Sequence, residues 1–206
     1  MYSCDKAVDA WVKENLTSIQ MMTRNDWLKL GEDVKRAAYI AFTPEQKFIF
    51  WKEKLIEVLA LNWNEAERKH LELMYKTISE NPQWFADDFS KNEVEWEKFE
   101  QFTYRWRETA EADFGWDRDN IRPMIASGNK MLNTKGELQI NAGTTISLRS
   151  SADDCECSGV DSYCGNNHIC DASLTCNPSS FGCGTIGLYR CDGMCAISAG
   201  VSTIQD

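Results

Sequence analysis

The sequence predicts a mainly α N-terminal region of about five or six helices, followed by a small disulfide-rich β/loop module. All eight tryptophans lie between Trp11 and Trp116, whereas eight of the nine cysteines lie between Cys155 and Cys195. A core of large aromatics and a module of sulfur are different answers to one problem, because a segment too short to bury enough apolar surface needs covalent staples. Apolar residues also recur at helical spacing as far as Trp116 and then stop doing so. The chain therefore divides into a helical region over 1–116, a linker over 117–150 and an eight-cysteine module over 151–206.

Val8, Trp11, Val12, Leu16 and Ile19 form one apolar stripe and predict a helix from Asp5 to about Met21. A shorter run starts near Thr23 and carries Trp27, Leu28 and Leu30; after Gly31 another carries Val34, Ala37, Ala38 and Ile40. Thr43-Pro44-Glu45-Gln46 is a start signal, combining an N-cap oxygen, a proline at the first helical position and a capping-box glutamine. Phe48, Trp51, Leu55, Val58 and Leu59 are read as its inner face. Asn64 caps the next helix, which passes Ala66, His70, Leu71, Met74 and Ile78 before Asn81-Pro82 ends it. Ser90-x-x-Glu93 reads as a further capping box, opening an aromatic-rich helix that Gly115 closes. In the linker, Leu138 and Ile140, then Ile146 and Leu148, alternate around Ala142-Gly143 in a hairpin pattern, the alternative being an exposed serine- and threonine-containing stretch with no fixed structure.

The formal charge of −10 is unevenly carried. From Ser151 onward seven acidic residues face Arg190 alone, a balance of −6, and the module has no lysine. Such a surface repels phosphates and anionic headgroups, which argues against nucleic acid as a partner and against membrane disruption by charge. The eight cysteines, Cys155, Cys157, Cys164, Cys170, Cys176, Cys183, Cys191 and Cys195, are separated by one, six, five, five, six, seven and three residues. No CxxC pair occurs and only His168 lies nearby, so four disulfides are expected and no metal. Disulfides require an oxidising compartment, which makes the protein exported: secreted, periplasmic or surface-displayed.

The chain shows neither a basic start with an apolar h-region nor an apolar run of about 18 residues that would span a membrane. An export signal is therefore expected to have been removed. Ser3-Cys4 then resembles a lipoprotein cleavage site, making Cys4 the candidate lipid anchor, although Tyr2 departs from that pattern; the alternative is an ordinary thiol at a helix start.

Catalysis is not expected, and no cofactor. His70 falls on the apolar side of its helix and reads as structural, and His168 as solvent-facing. No His-Glu-x-x-His pair, phosphate loop or nucleophile elbow occurs. Asp117-x-Asp119-Asn120 begins like a calcium loop, but Ile121 stands where another oxygen ligand is needed.

The module's residues are more specific. Asp154-Cys155-Glu156-Cys157-Ser158, Asp161-Ser162-Tyr163-Cys164, Cys170, Cys176, Gly182-Cys183-Gly184-Thr185, Tyr189, Cys191 and Gly193 together resemble the fulvocin C-type bacteriocins and the C-terminal parts of longer proteins called fulvocin C-related. The likeness covers about 45 of the 206 residues. It departs at the end, where Cys191-Asp-Gly-Met-Cys195 follows Tyr189 and the chain continues to Asp206. The resemblance implies a bacteriocin precursor or related exported protein, with the helical region as pro-domain, carrier or anchor. A surface receptor on target bacteria would be its partner, met through Tyr163, Phe181 and Tyr189, each of which is also a core candidate, with core the preferred reading for Tyr189. Gly182 and Gly184 are expected to take positive φ beside a disulfide, and Ile169, Leu174, Phe181, Ile186 and Leu188 to supply a minimal core. The alternatives are a surface lipoprotein that binds a protein or glycan, with the module as a cap, and a protease inhibitor presenting Asn177–Ser180.

Overall fold

Local side-chain oxygens set most of the helix starts. The computed structural model describes residues 1–140, 154–164 and 168–197. It is mainly helical, with a small strand-containing C-terminal part held by disulfides, in agreement with the predicted fold class. Asp5 caps α1 (Lys6–Glu14). The expected continuation to Met21 breaks at Asn15, whose side-chain amide donates to Trp11 O (2.8 Å), leaving a single turn, α2 (Leu16–Ile19). Thr23 and Asp26 form a reciprocal box at α3 (Arg24–Trp27), and α4 (Glu32–Ile40) follows Gly31. Thr43 and Gln46 cap α5 (Pro44–Leu59), and Asn64 and Glu67 cap α6 (Glu65–Glu80).

Two differences from expectation follow. Ser90 lies in a 3-10 turn, Phe89–Lys91, so α7 (Glu93–Phe114) starts from Asn92, whose side chain accepts from Glu95 N. Gly115, at φ +66°, ends that helix in the left-handed conformation. Beyond it, where a linker was expected, Asp117 and Asn120 cap α8 (Arg118–Ile125). A helix of two turns is too short to show clear periodicity, and Pro123 hides it further. Ile121, Met124 and Ile125 are nonetheless fully buried. A short pairing of Met131 with Leu138 comes next. The hairpin expected around Ala142-Gly143 lies outside the described residues.

The helical core runs through α5, α6, α7 and α8, with Leu55, Val58, Leu71, Met74, Ile78, Phe99 and Trp106 buried together. Three cations are buried beside it. Lys54 Nζ donates to Asn129 O (2.7 Å), Lys35 Nζ to Asn129 Oδ1 (2.8 Å) and Arg24 to Gly128 O (3.0 Å), with Glu57 paired to Arg24. These bonds clamp the loop after α8 against α4 and α5.

In the module, β1 (His168–Asp171) pairs antiparallel with β4 (Met194–Ile197), with Cys170 opposite Cys195. β2 (Ser179–Cys183) pairs antiparallel with β3 (Tyr189–Cys191). All eight cysteines are bridged, as 155–176, 157–170, 164–195 and 183–191, with Cys4 outside this network. The expected apolar core of the module is redistributed. Ile169 and Leu174 are exposed, whereas Cys155, Cys183 and Cys191 form the module's own buried centre. Ile186, Leu188 and Tyr189 instead join the core of the helices.

Candidate functional site

Several of the motif residues, Asp154, Asp161 and Tyr189 among them, lie on the face where module meets helices. Asp161, only 1 % exposed, accepts a hydrogen bond from Thr185 N (2.6 Å) on one oxygen and an ion pair from Arg107 of α7 on the other. Thr185 Oγ1 is hydrogen-bonded to the Tyr163 hydroxyl (2.9 Å). Gly182 and Gly184 both take positive φ, as expected. At Gly184 a Cβ would lie 2.6 Å from the Tyr189 ring and 2.8 Å from Asp161 Oδ2, so only glycine lets these groups close on one another. Burial alone would lower the Arg107 pKa; Asp161 beside it reverses that, holding the guanidinium firmly charged.

A tongue between β2 and β3 inserts into the helices. Tyr189 packs edge-on to Trp96 and tilted on Phe99, at centroid distances of 5.2 and 5.6 Å, with its hydroxyl 3.4 Å from Thr103 Oγ1. Ile186 is fully buried at the tip, in left-handed backbone (φ 48°) that a β-branched residue rarely adopts. The Tyr39 hydroxyl, which accepts from Trp51 Nε1 (2.8 Å), donates to Ile186 O (3.5 Å). On the other flank, Ser3 Oγ and Cys4 N donate to the two oxygens of Asp154 (2.6 and 2.8 Å), tying the first residues to the module.

Tyr163 and Tyr189, expected to be able to meet a target, are 8 % and 5 % exposed. Burial raises both phenol pKa values, and the nearby Asp161 carboxylate raises them further. With the module docked neither presents a surface, because each ring fills a space that would otherwise be a void. Phe181 lies in β2, and its side chain is outside the described residues. In Asn177–Ser180, Asn177 O accepts from Cys155 N within the module, Pro178 is exposed and Ser179 begins β2.

His70 is buried, stacked on Trp106 at 4.5 Å with Nε2 3.0 Å from Trp106 O, and burial lowers its pKa. His168 is exposed on β1. Asp117 is an N-cap, the function its calcium-like start conceals. The sulfurs of Cys157, Cys164 and Cys195 lie within 4.8 Å of one another because two bridges stack, and each is committed to a disulfide rather than held as a thiolate ligand. Sequence reasoning missed Arg107, Thr103 and Arg36 as partners of the module. An arginine in an aromatic-rich helix was the available signal for the first. In comparisons with known proteins the chain matches no family model, no curated sequence and no solved structure.

Proposed function

We propose that this is an exported protein in which a helical carrier holds a disulfide-framed antibacterial module of the fulvocin C type, with the module's apolar face covered. The supporting observation is the tongue. Ile186, Leu188 and Tyr189 are sealed into the helices, and among the described residues the ion-pair partner of Asp161 is Arg107 of α7. A module released from this carrier presents an apolar, tyrosine-bearing face with one acidic group at its edge, a composition suited to a protein receptor on a target cell. Four disulfides fit an oxidising compartment, and among the described residues no helix is long and apolar enough to cross a membrane. The module acts by binding, without catalysis.

Mass spectrometry of the producer's culture fluid tests this reading. A released fragment beginning between Arg149 and Cys155 is the expected result, and inhibition of a sensitive strain by that fragment, with protein-free anionic vesicles left intact, completes it. A chain recovered only intact rejects the precursor and favours the second reading, a surface lipoprotein anchored through Cys4. The observation behind that second reading is the hydrogen bond from Cys4 N to Asp154, a contact between chain start and module that cleavage after Ser3 and acylation of Cys4 would leave in place.

A further inference from the structure

A second feature of the same seam is open rather than filled. A cleft of about 520 Å³ lies between the first residues, the turn joining α4 to α5, and the module. Its size is that of a small-molecule site, and its walls mix apolar and polar groups as such sites do. Ile40, Phe42 and Pro44 supply apolar surface, while Arg36, Lys47 and Ser179 supply polar groups.

Two cationic side chains stand in these walls, and one of them, Arg36, has a hydrogen-bonding atom to spare. Arg36 makes no ion pair of 4.0 Å or less among the described residues, and its buried Nε has no hydrogen-bond partner there. Among the described residues its Nη2 is hydrogen-bonded to Ser179 Oγ at 3.3 Å and Cys183 Sγ at 3.9 Å. Burial lowers the pKa of this guanidinium, and the Asp154 and Glu156 carboxylates nearby offset that only in part. Lys47, also desolvated, has its pKa pushed down to about 8, and its carboxylate partner is Asp87 at 3.8 Å, which is largely exposed. The positive end of the α5 dipole opens beside both, since Thr43 and Pro44 line the cleft.

We propose that this cleft binds a small monocarboxylate with an apolar body, its carboxylate between Arg36 and Lys47 and its body against Ile40 and Phe42. A single negative charge is specified because Asp87 and Asp154 also line the cleft and repel a dianion. Because Asn177 and Ser179 come from the module, the bound ligand bridges module and helices and strengthens their docking. Binding here requires neither cleavage nor antibacterial action, so its test stands apart from that of the carrier reading.

The full oxidised chain would be titrated calorimetrically with acetate, hexanoate and N-acetylphenylalanine, alongside N-acetylphenylalaninamide and inorganic phosphate. The expected order is N-acetylphenylalanine and hexanoate above acetate, with Kd of about 1 mM or below for the first two, and no heat from the amide. Arg36→Gln and Lys47→Met should each weaken binding roughly tenfold or more. Asp87→Asn, which removes the competing carboxylate, should tighten it, and this gain cannot come from misfolding. Absence of binding by all three carboxylates overturns the proposal, as does equal binding of the amide. Phosphate binding more tightly than the monocarboxylates overturns the assignment of ligand class, and an unchanged or weaker affinity in Asp87→Asn overturns the placement.

Discussion

Asp161 shows how a single carboxylate can commit a module to its carrier. Its oxygens serve Arg107 and Thr185 N while the carboxylate itself is 1 % exposed and the arginine side chain 24 %, so the ion pair is more than the weakly contributing surface kind. Removing one partner leaves the other charge buried alone, and Asp161→Asn should cost about 3–5 kcal/mol in urea denaturation. Adding Arg107→Gln should recover part of that loss; strict additivity of the two would contradict a shared pair. Lys54 behaves oppositely, since its burial opposes its charge. The side chain is 0 % exposed, and burial lowers its pKa from 10.5 to about 7 despite Glu57 nearby. The unfolded chain keeps that proton up to 10.5 while the folded chain releases it near 7, so through this window unfolding takes up a proton. Stability should therefore rise with pH across it, and Lys54→Met should flatten that rise relative to the parent. Identical slopes in the two proteins would show that Lys54 does not titrate there.

Among the elements, α8 is the one whose role departs most from its sequence pattern. A linker position tolerates truncation within about 0.5 kcal/mol, whereas a core position does not. Ile121→Ala should cost about 2–5 kcal/mol, read from the urea midpoint at unchanged m-value, because Ile121 is fully buried among helices. The other helix starts follow signals only a few residues long. Thr43-Pro44 and Asn64 act where they were expected, because a cap is satisfied within its own turn. Ser90 fails for the same local reason, since Asn92 offers a competing oxygen closer to the helix. The tongue between β2 and β3 follows no local apolar rule, because its burial is provided by Trp96 and Phe99, far away in sequence.

For the whole molecule, shared burial changes what reduction should do. If the module had its own core, reductant would unfold it and leave the helices as stable as before. Here Ile186, Leu188 and Tyr189 complete the helical core, and the bridge between Cys183 and Cys191 holds the tongue in shape. Reduction is expected to preserve most helical circular dichroism at low temperature, because the tryptophan-rich core remains. The melting temperature of that helical signal should nevertheless fall by several degrees, as it loses packing worth a few kcal/mol. Unchanged helical melting would mean that the docked tongue adds nothing to the helices.

Composition and short patterns alone separated helices from module, placed most helix boundaries and called for four bridges among eight cysteines. These features are legible because caps, periodicity and cysteine density are properties of neighbouring residues. Which cysteines pair was not, nor that Arg107 answers Asp161 across 54 positions, nor that Lys35, Lys47 and Lys54 are buried. Tyr163 read equally well as a surface contact or as core, and Tyr189 rather as core, since an aromatic ring in a cysteine loop suits either. That both rings are buried in the folded chain came only from the tertiary structure, because burial depends on where the fold brings distant segments together.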